Sequence, residues 1–264
     1  MTRIEATVVR QIRHTGYALS VVVVLLVSAC EGNVAADYEV TATYPHDARA
    51  YTQGLLTSDS VLFESTGRYG MSDVRRVDLR TGAILDRRAL PPKQFGEGLA
   101  LHGGRLYQLT WQEGTAYVYS PETLAPLDSF RYAGQGWGLA SDGQRLYMSD
   151  GSDSIRILVP ETFAVERVLH VRHRGASLTQ LNELEVFGGA LLANVYASNW
   201  VAQIDPGSGE VQRMLDFQDL YRQRAMGAEV MNGIAVTADG TQLLLTGKLW
   251  PTVFQVRLRS PATP

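Results

Sequence analysis

Cys30 is the only cysteine in the chain, so no disulfide can close within it. Histidine is also scarce: the five are His14, His46, His102, His170 and His173. No cluster of histidine, cysteine and carboxylate has zinc-site spacing, which speaks against a zinc-dependent chemistry. An excess of one charge is missing too. Lys and Arg number 24 against 27 Asp and Glu, a net charge of −3, and no basic stripe offers a nucleic-acid footprint. The charged residues are scattered, as on a solvated surface. The one long apolar run, from Ala18 to Val27, is broken only by Ser20 and falls short of the ~20 residues a membrane-spanning helix needs.

That run has the proportions of an export signal instead. Arg3, Arg10 and Arg13 make a basic leader, and Val27-Ser28-Ala29-Cys30 closes the run with small residues. The cysteine placed directly after small residues resembles the lipobox of bacterial lipoproteins, in which the thiol receives a diacylglyceryl group. The expected layout is a signal over residues 1–29, lipidation at Cys30, a tether over 30–37 and a folded domain over 38–264. Localisation would then be the bacterial cell envelope, periplasm-facing or on the outer surface. An uncleaved anchor, or cleavage with Cys30 incidental, are the plainer alternatives.

What the chain has in quantity is one short phrase. It recurs as Gln53-Gly54-Leu55, Glu97-Gly98-Leu99, Trp137-Gly138-Leu139, Asn182-Glu183-Leu184 and Asn232-Gly233-Ile234, with starts 44, 40, 45 and 50 residues apart. Each opens a strand, a tight turn such as Asp142-Gly143, and a second apolar strand. Periods of this size with several strands each indicate an all-β fold, a β-propeller with one blade per repeat. Five phrases imply five blades. Tyr38–Tyr44 alternates, is rich in β-formers and belongs to no repeat. It is expected to close the ring beside Val253–Leu258, since an open ring would expose two sheet edges. The stretch His170–Gln180 reads as a polar insertion. Between blades four and five, Asp216–Glu229 reads as a small helical insertion, because Phe217, Leu220 and Tyr221 fall on one helical face.

In a propeller, equivalent positions of successive blades lie on one ring. The first residues of the phrases are Gln53, Glu97, Trp137, Asn182 and Asn232. A second set, 14 residues on (16 in the fifth blade), is Gly67, Trp111, Gly151, Tyr196 and Lys248. One mouth would then carry aromatics, amides, one carboxylate and one cation, the make-up of a small-molecule pocket. Each member has a plainer reading: Trp137 and Trp111 as packing, Lys248 as a solvated side chain, Asn232 as a bond to loop backbone, the reading preferred for that residue. Glu97, between Phe95-Gly96 and Gly98-Leu99, is the hardest to explain structurally, because an unpaired carboxylate there is costly. Lys248 is the available partner, and a carboxylate so placed is a candidate for acid–base work.

Seven motifs in order then carry a resemblance: Tyr51-Thr-Gln-Gly-Leu55, Leu62–Gly67, Phe95-Gly-Glu-Gly-Leu99, Gly136-Trp-Gly-Leu139, Leu181–Glu185, Ala193-Asn-Val-Tyr196 and Asn232-Gly-Ile-Ala235. Together they resemble the plant/bacterial-type glutaminyl-peptide cyclotransferases, five-bladed propellers that turn an N-terminal glutamine into pyroglutamate with release of ammonia. The resemblance implies Glu97 as acid/base and places Lys248 and Asn182 on the substrate side, where the developing oxyanion of such a reaction wants donors that these two could supply. It implies substrate contacts at Gln53, Trp111, Trp137 and Tyr196, with Tyr51 and Phe95 beside them. Tyr51 stands where the family usually has Phe and Tyr196 where it usually has Trp. No cofactor is expected for catalysis, and a structural ion in the central channel stays open. Expected partners are peptides or proteins with N-terminal glutamine and the membrane through the lipid anchor; the protein is expected to be a monomer. Two other readings stay open at this point: a non-catalytic envelope propeller that binds peptides, and a metal-dependent hydrolase of the lactonase kind, which would need a more acidic axis than Glu97 with Glu183 and Glu185 nearby.

Overall fold

The computed structural model describes residues 37–222 and 225–259. The signal, Cys30 and the tether up to residue 36 lie outside the described residues. The described part is a five-bladed propeller, each blade a four-stranded antiparallel sheet. The first strand, β1 (Tyr38–Pro45), belongs to the last blade. Blade one is β2 (Thr52–Ser58), β3 (Val61–Thr66), β4 (Asp73–Asp78) and β5 (Ile84–Ala89). Blade two is β6 (Gly96–His102), β7 (Arg105–Thr110), β8 (Thr115–Tyr119) and β9 (Pro126–Arg131). Blade three is β10 (Leu139–Ser141), β11 (Leu146–Met148), β12 (Ser154–Val159) and β13 (Ala164–His170). The polar stretch after it folds into a small hairpin, β14 (Arg172–His173) with β15 (Ala176–Ser177). Blade four is β16 (Leu181–Phe187), β17 (Ala190–Val195), β18 (Trp200–Ile204) and β19 (Val211–Asp216). Blade five is β20 (Met231–Val236), β21 (Leu243–Gly247) and β22 (Thr252–Leu258), with β1 as its outer strand.

The closing pair runs from Tyr38 opposite Leu258 to Pro45 opposite Thr252, so the start and end of the domain share one sheet. Apolar side chains do not gather at the axis. They fill five seams between neighbouring blades, such as Leu192, Val201 and Leu215 of blade four against Met231, Ile234 and Leu243 of blade five. The inner strands β2, β6, β10, β16 and β20 neighbour one another in a closed ring.

The repeated phrase makes this ring possible. A Cβ on Gly54 would lie 2.5 Å from the Leu99 nitrogen, one on Gly98 2.4 Å from the Leu139 nitrogen, and one on Gly138 2.0 Å from the Asn182 carbonyl oxygen. These three phrase glycines let the next blade's phrase approach their backbone. Blade four carries Glu183 instead, and its carboxylate reaches across the ring. Oε1 accepts from the Leu55 N–H at 3.2 Å and Oε2 from the Ile234 N–H at 2.9 Å. Those two backbone donors would otherwise be buried without partners, at about 1–3 kcal/mol each.

The small helical insertion expected over Asp216–Glu229 is not present among the described residues. Asp216 ends β19, and the chain continues in turns. Phe217 and Leu220 are buried as the spacing implied, but a single turn closed by the Leu220 N–H on the Phe217 carbonyl is enough to bury them. Gly227, at φ +89°, then takes a conformation that no helix contains.

Candidate active site

In four blades the first residue of the phrase lies within a register shift of the inner strand pair: between Thr52 and Gly54, Gly96 and Leu99, Leu181 and Leu184, and Met231 and Ile234. A bulge bends the strand and re-aims the side chain, and it does so here at Gln53, Glu97, Asn182 and Asn232. The second set returns to the same mouth through backbone bonds. The N–H groups of Gly67, Trp111, Tyr196 and Lys248 donate to the carbonyls of Tyr51, Phe95, Gln180 and Val230, each two residues before its own blade's phrase. Two ring positions are glycine because a neighbouring aromatic covers them: a Cβ on Gly67 would meet the Phe95 ring at 2.3 Å, and one on Gly151 the Trp137 ring at 2.7 Å.

The aromatic side chains form a circuit around the mouth. Tyr51 meets Phe95 edge-on at 6.1 Å between centroids, and Phe95 meets Trp111 at 5.7 Å. Trp111 and Trp137 are joined by Gln135, whose Oε1 accepts from both indole N–H groups at 2.8 and 2.9 Å. Trp137 meets Tyr196 edge-on at 5.6 Å. Lys248 closes the circuit, with Nζ 5.3 Å from the Tyr196 ring centroid and 4.7 Å from that of Tyr51.

The polar groups are more deeply enclosed. Glu97 is 4% exposed, and its Oε1 accepts from Gln53 Nε2 at 3.1 Å. Burial pushes its carboxyl well above the ordinary range; Lys248 opposes that shift and Glu113 adds to it. Lys248 is 3% exposed rather than solvated, and burial lowers its ammonium, partly offset by Glu97 and Glu229. The Asn182 side chain is buried and its Oδ1 has no partner. Asn232 donates to the Thr52 carbonyl at 3.0 Å, the backbone bond expected of it, and also to Gln53 Oε1 at 3.2 Å. Glu183 and Glu185 stand apart from this set. Glu185 lines a separate cavity of about 140 Å³ with Leu56, Leu99 and Val236, and burial pushes its carboxyl up to about 8. Among the described residues no three His, Cys, Asp or Glu side chains converge as a metal site would require.

Comparison with known proteins places these residues in context. The family model described as glutamine cyclotransferase matches residues 17–258. The chain belongs to the glutamine cyclotransferase family. It is 40% identical over 229 residues to the glutaminyl-peptide cyclotransferase of Arabidopsis thaliana, covering 84% of this chain and 72% of that protein. The crystal structure of Myxococcus xanthus glutaminyl cyclase superposes with a TM-score of 0.78 at 37% identity, covering 84% of this chain and 96% of that one. Within the cyclotransferase family the hydrolase and binding-module readings fall away.

Sequence reasoning passed over several residues of the cyclotransferase mouth. Gln135 precedes its phrase by two residues, the same offset as Tyr51 and Phe95, and that offset was the signal available. Tyr69 packs on Phe95 at 5.4 Å and donates its hydroxyl to Glu113. Arg68 pairs with Glu229 at 3.1 Å and lies over Tyr51. These come from loops outside the repeat, where no periodicity marks them.

A second buried set anchors the Lys248 loop. His46 is a loop residue, as its Tyr-Pro-His-Asp context suggests, yet it is buried. Its Nδ1 faces the Trp250 carbonyl at 2.6 Å and its Nε2 faces Glu64 at 3.0 Å, while Thr52 donates to the same carboxylate. The Leu249 N–H donates to the Ala50 carbonyl, and the Trp250 indole donates to the Glu229 carbonyl. Burial would depress the His46 imidazole, but Glu64 and the Trp250 carbonyl outweigh it and the group titrates above 6.5. Burial would raise Glu64, but His46, Arg75 and Thr52 hold it below 4.5. His46, raised on folding, gives stability that is complete below pH 6.5 and lost as pH rises through its folded value. Glu64, lowered on folding, gives stability complete above pH 4.5 and lost as pH falls through its folded value. The Tm advantage of the natural protein over His46→Gln should therefore shrink as pH rises above 6.5. Melting curves from pH 5 to 9 test this, and a pH-independent difference would show that the imidazole does not titrate on folding.

Proposed function

We propose that this protein is a glutaminyl-peptide cyclotransferase, with Glu97 as the proton shuttle. Family membership supports the enzyme class. The observation that carries the mechanism is an enclosed carboxylate, held by one amide donor within a circuit of five aromatic walls and a buried lysine.

An N-terminal glutamine cyclises when its neutral α-amine attacks its own γ-carboxamide carbon. The new C–N bond forms, the carbonyl oxygen takes the electron pair, and on collapse the carboxamide nitrogen leaves as ammonia. Because the attack is intramolecular, positioning contributes less than for two separate reactants. Proton movement remains. Ionised Glu97 takes the proton from the attacking amine and returns it to the leaving nitrogen, an assistance worth ~10²–10⁴-fold. Lys248 and the Asn182 amide donate to the oxyanion. Trp111, Trp137, Tyr196, Tyr51 and Phe95 exclude water and hold the substrate's aliphatic stem.

The deciding assay is ammonia release from a glutamine-initiated dipeptide, with pyroglutamate identified by mass. Activity is expected to survive prolonged treatment with a heterocyclic chelator, since Glu97, Lys248 and Asn182 account for each proton and charge. Loss of turnover that zinc restores would overturn the mechanism; a fall in thermal stability alone would indicate a structural ion.

Export and anchoring form part of the same reading. The Val27–Cys30 sequence supports lipidation at Cys30 after removal of residues 1–29, leaving the propeller at the bacterial cell envelope. Cys30→Ala is expected to move the protein from the detergent phase to the aqueous phase in a Triton X-114 partition. Equal partitioning of the variant and the natural protein would rule the anchor out. A monomer is expected, because one mouth holds a complete set of catalytic groups.

A further inference from the structure

We propose that Asn232 is a positioning residue, which holds the Gln53 amide nitrogen against Glu97 by donating to the Gln53 amide oxygen. The inference rests on the proposed role of Glu97 and goes beyond it, because Asn232 need not touch substrate.

A carboxamide has a donor end and an acceptor end of almost equal shape, so its neighbours decide which way it faces. Here the decision begins at a group that cannot be reversed. The Thr52 backbone carbonyl can only accept, and it takes a hydrogen bond from Asn232 Nδ2 at 3.0 Å. That fixes the Asn232 amide, whose same nitrogen donates to Gln53 Oε1 at 3.2 Å. With its oxygen occupied, Gln53 turns its nitrogen to Glu97 Oε1, at 3.1 Å. The relay is closed to water: Asn232 is 0% exposed, and Gln53 and Glu97 are each 4% exposed. Asn232 Oδ1 has no partner, so only the donor end of this amide is used. The backbone holds the arrangement in place, with Asn232 inside the β20 register shift and Gly233 at φ +121°.

The consequence falls on Glu97. An ionised carboxylate needs donors, and a donor favours the charged form. Were Gln53 reversed, its oxygen would face the carboxylate, repelling the anion and accepting from the protonated acid. Glu97 would then stay protonated to higher pH and could not take up the amine proton. The other groups acting on it are Lys248 from the turn after β21, which favours the anion, and Glu113 from the loop after β7, which opposes it. Tyr69 and Tyr132 also feel the Glu97 charge, but both hydroxyls are held elsewhere, on Glu113 and on the Thr110 carbonyl.

The test combines turnover with a titration that needs none. Asn232→Leu removes the donor at similar volume, and Gln53→Met removes the relay's other half. In the full chain, each should move the acid limb of the kcat/KM profile upward by about one pH unit. Adding Asn232→Leu to Gln53→Met should move it no further. Carboxyl ¹³C NMR, with Glu97 assigned from the Glu97→Gln spectrum, should show the same displacement without substrate. If the natural protein forms no pyroglutamate, the functional reading fails while the NMR titration still decides the relay. The relay is overturned if the Glu97 titration does not move in folded Asn232→Leu. It is equally overturned if Asn232→Leu adds its full shift to Gln53→Met. Should Asn232→Leu fail to fold, an unmoved titration in Gln53→Met overturns it alone.

Discussion

Glu97→Gln should fold normally and lose ~10²–10⁴-fold in kcat with little change in KM. The substitution keeps the side chain's size and can still bond Gln53, so the circuit around it is undisturbed. What it removes is the capacity to take up and return a proton. The pH profile of the natural protein follows from the same group. Glu97 must be ionised to begin, and burial raises its titration, so kcat/KM should fall as pH drops through a value well above 4.5. In Glu97→Gln that limb should vanish from whatever activity is left. Retention of more than about a tenth of kcat would mean that the carboxylate serves binding or structure instead.

Lys248→Met should lower kcat by ~10²–10³-fold, the usual loss for one well-placed donor to an oxyanion. Methionine retains much of the aliphatic stem between Tyr51 and Tyr196 but carries no charge. Two effects then separate. Loss of the oxyanion donor lowers the plateau of the profile. Loss of the cation also removes the group that favours ionised Glu97, so the acid limb should move upward. The alkaline limb gives a third check. Burial lowers the Lys248 titration below 10.5, so activity should decline as pH rises through it, and that decline should be absent in Lys248→Met. An unaltered plateau with only a shifted limb would leave Lys248 as an electrostatic partner of Glu97 rather than a donor to the reacting atoms.

The ring was legible in the sequence because its residues answer to the repeat. A phrase glycine recurs in four blades and a side chain re-aimed by a bulge in four, so counting from Gln53 reaches Glu97, Trp137, Asn182 and Asn232. The closing strand was legible for the opposite reason, as a strand without a repeat to join. Outer strands such as Ile84–Ala89 and Pro126–Arg131 carried a weaker signal, since both are largely exposed and little burial constrains their pattern. The turn after β19 was misread because Phe217, Leu220 and Tyr221 satisfy helical spacing, whereas packing asks only for one turn. Tyr69 and Glu113 act on the aromatic walls from loops that no repeat marks, whereas Gln135 carries the same offset as Tyr51 and Phe95 but is the one non-aromatic residue of the three. His46 and Glu64 form a buried pair 18 positions apart that no local pattern announces.

Sharing one sheet between β1 and β22 has a consequence for when the enzyme comes into being. The pairing that runs from Tyr38 opposite Leu258 cannot form until β22 has been synthesised. Contacts this distant in sequence form late and slowly. A chain that ends before blade five can pack the seams between blades one to four, but it lacks Asn232 and Lys248, so its mouth is incomplete. Full catalysis should therefore arrive only when blade five closes the ring.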